Sequence, residues 1–163
     1  MSLPKKVINH LESAKTPHEV LTHKTVFTAY DLAQTLGEKM QNIAKSLLVK
    51  VDKEYMIVVV PAHYRLDLAK LKKFLKAKKV SIAKEKDMVT KFKVKPGALT
   101  AFGTIHKIAV VADLSLLKLQ KAIFQAGSFT ESVRMKMKDY LKLEQPQTGK
   151  FVEKPAPKKR KNK

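Results

Sequence analysis

The chain has 163 residues, of which 44% are apolar and 29% are charged, and it contains no cysteine. This length and apolar content suit one domain with a hydrophobic core, and the lack of cysteine excludes disulfides, thiolate metal sites and a cysteine nucleophile. The formal net charge is +20, from 34 Lys and Arg against 14 Asp and Glu. Such a field attracts polyanions and favours a nucleic-acid partner, with selection for solubility as the alternative explanation.

The first part of the chain predicts two helices separated by a short strand. Pro4 stands in the opening turn of an amphipathic helix that should end near residues 16–17. A strand is expected at 20–23. Thr28 can then cap a second helix, which Gly37 closes.

The middle of the chain predicts a β-hairpin followed by a helix. The runs 46–51 and 55–60 are apolar and rich in β-branched residues, so they should pair as antiparallel strands, with Lys45 at the entrance of the first. Asp67 can cap a third helix whose lysines cover its outer side, and a brief strand is expected at 80–83.

The second half of the chain mixes helices and strands without βαβ regularity. The remaining predicted elements are a short helix at 88–92, strands at 108–112, 122–126 and 132–137, and a final helical segment at 140–143. Beyond residue 145 the composition changes to Pro, Gln, Lys and Asn. We therefore predict one domain at 1–144 and a disordered basic tail at 145–163, which could add phosphate contacts, act as a nuclear-import signal or simply solubilise the chain.

Several classes of site have no support in the sequence. The five histidines lack the close pairings that mark metal sites, and the G-x-S-x-G, G-x-x-x-x-G-K-[ST] and G-x-G-x-x-G motifs do not occur. We expect no metal and no cofactor. No stretch approaches the roughly 20 apolar residues that cross a bilayer, and the amino terminus does not resemble a signal peptide, so we expect a soluble, cytoplasmic protein without a membrane partner.

The candidate site combines a lysine with a glycine-bounded turn. Lys45 lies within the apolar run N-I-A-K-S-L-L-V, and the turn G-A-L-T-A-F-G occupies 97–103. A cation can hold phosphate or ribose while backbone N–H groups of an exposed turn donate hydrogen bonds to a carbonyl oxygen. Taken alone, these residues also have a simpler explanation. The lysine would extend its ammonium into water, and the glycine-bounded segment would be an ordinary turn.

The order of segments resembles the YbaK/EbsC and prolyl-tRNA-synthetase-associated editing-domain family, which hydrolyses wrongly charged aminoacyl-tRNA. The resemblance spans residues 11–143, through A-Y-D-L-A-Q-T-L-G, A-K-S-L-L-V-K-V, M-I-V-V-V-P-A-H-Y-R-L-D-L-A-K-L, K-P-G-A-L-T-A-F-G and Q-A-G-S-F-T-E-S-V-R-M. It implies a compact α/β fold of the α+β type, with a mixed, mostly antiparallel, barrel-like sheet surrounded by helices. It also implies that the acceptor end of tRNA enters a pocket beside the family lysine.

The resemblance also implies roles for particular residues. Lys45 occupies the position of the lysine that contacts the terminal nucleotide and places the ester, and Gly97 and Gly103 bound the turn that binds the aminoacyl group. These three are the expected catalytic residues. The expected substrate-binding residues are Ala98, Leu99, Thr100, Ala101, Phe102, Gly127, Ser128 and His63. His106 is a further possible polar helper.

Two positions depart from the family pattern. Ala98 replaces a common second glycine, which should narrow the mouth of the amino-acid pocket, and Ala101 stands where the turn often carries proline. Both changes bear on which amino acid is accepted, for which the family suggests small residues such as alanine, serine, cysteine or threonine.

Three functions compete at this level. The first is a freestanding trans-editing deacylase that hydrolyses the ester of mischarged tRNA with a positioned water, acting on a small amino acid, with tRNA-Pro as one candidate acceptor. The second is a non-catalytic tRNA-binding or synthetase-associated module. A basic protein for DNA or membrane surfaces is the third, although no helix-turn-helix or one-sided basic amphipathic helix supports it. The expected partners are tRNA and, as a further candidate, an aminoacyl-tRNA synthetase.

Overall fold

A mixed β-sheet flanked by helices organises the fold, which a computed structural model describes for residues 3–95 and 97–153. The helices are α1 (Lys5–Ser13), α2 (Ala29–Leu36), α3 (Leu68–Leu75), α4 (Glu85–Phe92) and α5 (Met137–Glu144). The strands are β1 (Glu19–Thr22), β2 (Ile43–Val51), β3 (Glu54–Pro61), β4 (Arg65–Leu66), β5 (Val80–Ile82), β6 (Ala109–Asp113), β7 (Lys121–Phe124), β8 (Glu131–Lys136), β9 (Gln147–Gly149) and β10 (Val152–Glu153).

The main sheet has the strand order β1-β8-β7-β2-β3-β6-β9, and β5 also pairs with β2. Pairing is antiparallel between β1 and β8, β7 and β8, β2 and β3, and β2 and β5; it is parallel between β2 and β7, β3 and β6, and β6 and β9. The small strands β4 and β10 pair separately. The predicted α/β fold with a mixed, mostly antiparallel sheet is confirmed.

Strand β2 has two different neighbours along one of its edges. Residues 43–44 pair with β7 and residues 49–51 pair with β5, whereas β3 follows the opposite edge from Ala44 to Val51. Within the described residues, positions 45–48 therefore have no strand partner on the β7 and β5 side. Side-chain and loop contacts must complete the sheet there, and this gap determines where the candidate site forms.

Local capping signals place three of the helix ends. The Thr28 hydroxyl accepts from the N–H of Asp31 at 3.0 Å, and Gly37 closes α2 with a φ of 68°. The Asp67 carboxylate accepts from the N–H groups of Ala69 and Lys70 in the first turn of α3, at 3.0 and 3.1 Å. These ends agree with the sequence because capping depends on residues within one helical turn.

The centre of the largest apolar cluster contains three aromatic rings. Phe102, Phe124 and Tyr140 are fully buried, and the rings of Phe124 and Tyr140 stack with their centroids 4.3 Å apart. The turn at 97–103 is therefore joined to the core through Phe102. No helix in the part of the chain described here has the length and apolarity needed to span a bilayer.

The predicted start of the tail at residue 145 is wrong. Residues 147–149 form β9 and extend the main sheet next to β6, and Phe151 is fully buried against Phe74, with ring centroids 5.6 Å apart. The N–H of Phe151 also donates to Asp113 at 2.8 Å. The folded domain therefore continues to at least residue 153. The rest of the predicted tail, 154–163, lies outside the described residues.

Candidate active site

A pocket of about 290 Å³ opens at the gap along β2. We call it the β2 pocket. Its walls come from the loop before α2, from β2, from the β5–α4 segment, from the turn at 97–103 and from the residue after β7. The described lining residues are Phe27, Thr28, Ala29, Lys45, Ser46, Leu47, Leu48, Ile82, Ala83, Glu85, Met88, Gly97, Leu99 and Gln125.

Lys45 borders two cavities at once. It is an exposed side chain within β2, paired with Val60, because the strand begins at Ile43 and not at residue 46 as expected. A second cavity of about 610 Å³ lies on its other side and also contains Tyr30 and His63; we call it the Tyr30 pocket. An ammonium at this boundary can contact one ligand that extends into both cavities.

Gln125 takes the place of a strand partner next to Lys45. Its Oε1 accepts from the backbone N–H of Ser46 at 3.1 Å, so a side chain substitutes for the missing backbone pairing of β2. The Ser46 side chain is 7% exposed, and its hydroxyl has no hydrogen-bond partner among the described residues. This part of the wall therefore contains a buried polar group without a partner among the described residues.

The glycine turn contributes Gly97 and Leu99 to the β2 pocket. Gly97 has a φ of 87°, in the left-handed region, and a Cβ there would lie 3.3 Å from the Phe129 ring and 3.4 Å from the Phe27 carbonyl oxygen. The positive φ favours glycine at this position, and a Cβ would be in tight contact with the Phe129 ring.

Several other amides of the turn are already hydrogen-bonded. The N–H of Ala98 donates to the Lys95 carbonyl at 2.9 Å, and that of Ala101 donates to the Gln125 carbonyl at 2.9 Å. The N–H of Phe102 donates to the Thr100 hydroxyl at 3.1 Å. Of the turn residues, Gly97 and Leu99 line the β2 pocket, and their amides have no hydrogen-bond acceptor among the described residues.

Gly103 does not belong with the catalytic group expected from the sequence. It is buried and absent from the described lining of the β2 pocket, and a Cβ on it would overlap the Ile108 carbonyl oxygen and a Val110 methyl group. Ala101 and Phe102 are likewise fully buried in the core. These three residues pack the turn onto the core, and the lack of space for a Cβ explains the glycine at position 103.

The turn is held from behind by α5. The Tyr140 hydroxyl donates to the Ala101 carbonyl at 2.6 Å, and burial, followed by the nearby Glu144 charge, raises the pKa of Tyr140 well above its ordinary value. The hydroxyl therefore stays a donor. The Glu144 carboxylate accepts from both the N–H and the hydroxyl of Thr104 and lies 2.6 Å from a ring nitrogen of His10. The buried Glu144 carboxylate thus connects α5 to His10 of α1 and to Thr104, which follows the glycine turn.

Ala98, Thr100 and Gly127 face a different cavity. This cavity, of about 320 Å³, also contains Pro4 and His106, and it lies apart from Lys45. Because the Ala98 side chain is outside the lining of the β2 pocket, its methyl group does not narrow that pocket as expected from the sequence. Gly127 has a φ of 88°, and a Cβ there would come within 2.9 Å of the Pro4 ring, so this glycine has a packing role.

The loop at 127–130 reaches the β2 pocket through an aromatic contact. The Phe129 ring packs edge-on against Phe27, with centroids 4.9 Å apart, and Phe27 is 60% exposed at the pocket mouth. The Ser128 hydroxyl accepts from the N–H groups of Thr130 and Glu131 at 3.1 and 3.0 Å. Ser128 therefore shapes the loop and is not among the described lining residues of the β2 pocket.

The two histidines noted in the sequence are separated from each other. His63 lies in the Tyr30 pocket and stacks on Tyr64 at 4.0 Å, and removal from solvent lowers its pKa. His106 lies in the cavity beside Pro4, where removal from solvent, followed by the Lys6 charge, lowers its pKa. Both rings are therefore neutral at pH 7. Only His63 shares a cavity with Lys45.

Sequence reasoning missed most of the side chains that face Lys45. Nothing local in the sequence singles out Phe27, Tyr30, Ser46 or Gln125, although Ser46 directly follows the lysine. Gln125 is 79 residues from Ser46, and no local pattern reports a contact over that separation. In the described part of the chain, no group of three or more His, Cys, Asp or Glu is arranged to hold a metal ion.

Comparison with known proteins agrees with this architecture. Residues 23–143 match the aminoacyl-tRNA editing domain family. The chain belongs to that family. The resemblance drawn from the sequence is therefore confirmed, and the β2 pocket with Lys45 lies inside the matched range of the editing domain.

Relatives of this editing domain include the proline–tRNA ligases of Staphylococcus aureus. The enzyme of strain JH1 is 33% identical over 91 residues, which are 56% of this chain and 16% of that enzyme. The enzyme of strain Newman is 32% identical over the same length. The editing domain thus spans less than a fifth of the curated relatives that it matches.

Two solved structures share the fold of the editing domain. One, a hypothetical protein, has a TM-score of 0.84 and 19% identity, covering 91% of this chain and 99% of the other. The second, a protein proposed as a trans-editing enzyme for prolyl-tRNA synthetase, has a TM-score of 0.79 and 23% identity, covering 93% of this chain and 99% of the other. At these identities the likeness establishes the fold alone.

Proposed function

We propose that this editing domain is an aminoacyl-tRNA deacylase that acts in trans on mischarged tRNA. The observation that carries the proposal is the meeting of Lys45 with Gly97 and Leu99 at one pocket, although β2 and the turn are about fifty residues apart in sequence. A cation and two available backbone amides at one cavity suit binding of an anionic, ester-containing ligand.

The two cavities beside Lys45 suit the two parts of such a substrate. The terminal adenosine would occupy the Tyr30 pocket, where Tyr30 is 58% exposed and His63 is neutral. Exposed aromatic rings are common stacking surfaces for unpaired RNA bases. The aminoacyl group would then extend past Lys45 into the β2 pocket, whose volume of about 290 Å³ suits a small amino acid.

In this arrangement water attacks the ester carbon, and no protein nucleophile is required. The amides of Gly97 and Leu99 would stabilise the developing oxyanion, while Lys45 fixes the terminal nucleotide. The free ribose hydroxyl next to the ester could relay the proton. A tRNA ending in a deoxyadenosine without that hydroxyl should be turned over much more slowly, and full turnover would contradict the relay.

The proposed partner is the acceptor end of tRNA. Exposed lysines are frequent in the segment 70–95, which contributes Ile82, Ala83 and Glu85 to the pocket wall, and the described residues show no lysine in an ion pair with a carboxylate. Action in trans draws support from the solved protein proposed as a trans-editing enzyme for prolyl-tRNA synthetase, which this chain covers almost entirely. Prolyl-tRNA synthetase is accordingly a candidate partner, and a cytoplasmic location would follow from the activity.

The direct test is release of amino acid from one tRNA-Pro body charged in turn with proline, alanine, serine, threonine or valine. The proposal expects turnover of at least one mischarged species well above spontaneous hydrolysis, with prolyl-tRNA spared. If tRNA binds and no ester is cleaved, the chain is a non-catalytic tRNA-binding module and the proposed function is wrong.

A further inference from the structure

The cavity beside Pro4 has a positively charged mouth. It encloses about 320 Å³, and we call it the Pro4 cavity. Lys6, Lys93 and Lys95 line it, all three are exposed, and none forms an ion pair with a carboxylate among the described residues. The described lining contains no Asp or Glu. Cations gathered around a concave surface without a counter-charge create a potential that attracts an anionic ligand.

The inner part of the Pro4 cavity is apolar and partly aromatic. Val7, Val94 and Ala98 are buried and form its inner wall. The half-buried rings of Phe92 and His106 also line it and meet edge to face, with centroids 6.4 Å apart. Inorganic phosphate would leave this apolar surface uncovered, whereas a ligand that joins an anionic group to a flat ring would cover it.

His106 is a polar group in this interior. The hydrogen bonds of histidine rings in the described residues belong to His10, His18 and His23, so the His106 ring has no partner there. Removal from solvent, followed by the Lys6 charge, lowers its pKa, and the ring is neutral at pH 7. A neutral imidazole has one nitrogen that donates and one that accepts. The edge of a nucleobase offers both acceptors and donors to such a ring.

We propose that the Pro4 cavity is a second binding site that holds one nucleotide unit. Its phosphate lies among Lys6, Lys93 and Lys95, and its base lies against Phe92 and His106. A cavity of about 320 Å³ is at the small end of the range for ligand sites, which suits a single nucleotide and not a longer RNA segment. This site shares no described lining residue with the β2 pocket or the Tyr30 pocket, so the inference goes beyond the proposed function and does not rest on it.

The His106 ring signal in NMR spectra is a direct probe of this site, and it is assigned by its absence in His106→Gln. The 5′-monophosphates of adenosine, guanosine, cytidine and uridine are added in turn to the full chain. We expect at least one of them to shift the signal saturably, with an affinity about tenfold or more above that of inorganic phosphate and of the matching nucleoside. No saturable shift with any of the four overturns the inference. So does inorganic phosphate that binds as tightly as the nucleotides.

Lys5 and Lys6 provide a matched pair of variants. Both are exposed neighbours in α1, but Lys6 is among the described lining residues of the Pro4 cavity and Lys5 is not. Lys6→Gln should weaken nucleotide binding at His106 about fivefold or more, and Lys5→Gln should weaken it by less than about twofold. Equal weakening by the two variants would show that net charge alone attracts the nucleotide, and no weakening by Lys6→Gln would show that the phosphate lies elsewhere. Either result overturns the inference.

A competition experiment identifies the source of the nucleotide. Saturating deacylated tRNA is added to the protein with a labelled mononucleotide bound, and equilibrium dialysis follows the part of the binding that Lys6→Gln removes. Displacement of that part assigns the site to a nucleotide of tRNA, simultaneous binding assigns it to a free nucleotide, and both results support the site.

The failure of this inference is distinct from the failure of the proposed function. A saturable shift of the His106 signal in a protein that cleaves no ester supports the second site and contradicts the deacylase. Ester cleavage by a protein whose His106 signal responds to none of the nucleotides supports the deacylase and overturns the second site.

Discussion

The two glycines that bound the turn at 97–103 have different roles. Gly97 adopts a positive φ at the edge of the β2 pocket, where its amide can face a substrate. Gly103 has no positive φ, but the space for a side chain is filled by the Ile108 carbonyl and Val110. We therefore expect Gly97 to bear on the proposed chemistry and Gly103 on packing, although the sequence presents them as a symmetrical pair.

Alanine substitutions should separate these roles. Gly103→Ala should lower the free energy of unfolding by about 2–3 kcal/mol, because a packed core must move to admit the methyl group. Gly97→Ala should cost about 1–2 kcal/mol in backbone strain and also lower kcat/KM for the mischarged ester by about tenfold or more. Thermal unfolding and amino-acid release measure the two effects.

Gly37→Ala is the control for backbone strain. Gly37 has a φ of 68°, and a Cβ added there would have no neighbouring atom within 4 Å, so only the strain remains. This variant should lose stability as Gly97→Ala does and keep its turnover. Equal loss of turnover in both variants would contradict a role for Gly97 in the site.

At the level of elements, the sequence predicted what local interactions determine. Capping by Thr28 and Asp67 lies within one turn of helix, and the hairpin of β2 and β3 follows from two adjacent apolar runs. The sequence did not predict β9, a three-residue strand that pairs with β6, which lies more than thirty residues earlier in the chain. The polar residues of β9 do not form an alternating apolar pattern that would predict a strand. Phe151 is the nearby residue whose type indicates burial.

The candidate site was predictable to the same extent. Lys45 stands out as a charge within an apolar run, and the turn stands out through its glycines. The gap along β2 was not predictable, because it depends on where β7 ends and β5 begins as neighbours of one strand. Gln125 and Ser46 acquire their roles only from that long-range pairing.

Phe151 tests whether residues after α5 belong to the domain. Its ring is fully buried against Phe74, and its N–H donates to Asp113. Phe151→Ala should lower the free energy of unfolding by about 3–5 kcal/mol in denaturant titrations. Phe27→Ala, which removes a ring that is 60% exposed, should cost far less stability. A loss below about 1 kcal/mol for Phe151→Ala would restore the boundary at residue 144.

At the scale of the whole molecule, charge is concentrated on the segment that runs from α3 to the glycine turn. We call its exposed lysines the lysine face: Lys70, Lys72, Lys73, Lys76, Lys78, Lys79, Lys84, Lys86, Lys91, Lys93 and Lys95. The segment continues through Ile82, Ala83 and Glu85 into the wall of the β2 pocket. We expect a polyanion bound along this segment to reach the pocket mouth.

One acidic group on this segment shows the strength of the local field. The Tyr55 hydroxyl donates to Asp87 at 2.6 Å, and this bond, together with Lys91, Lys50 and Lys84, lowers the pKa of Asp87. The ammonium groups of Lys50 and Lys91 each lie 5.9 Å from the centre of the Tyr55 ring. Several cations thus converge around a single carboxylate, which leaves a net positive surface.

Neutralising part of the lysine face should weaken tRNA binding and its dependence on salt. For Lys72, Lys73 and Lys76 changed together to Gln, the slope of log K against log salt should fall by about 2–3, if each lysine contacts one phosphate. Changing Lys118, Lys138 and Lys142, which are exposed but lie outside the segment from α3 to the glycine turn, should have a smaller effect. Equal effects of the two triple variants would show that net charge alone drives binding.

The central claim is that an aminoacyl ester is hydrolysed beside Lys45 in the gap of β2. The most direct measurement compares amino-acid release from the best mischarged tRNA by the unmodified protein, by Lys45→Ala and by Lys53→Ala, whose exposed lysine lies in the β2–β3 turn. We predict that Lys45→Ala lowers kcat/KM on the order of 100-fold while Lys53→Ala changes it little. Turnover by Lys45→Ala equal to that of the unmodified protein would contradict the claim.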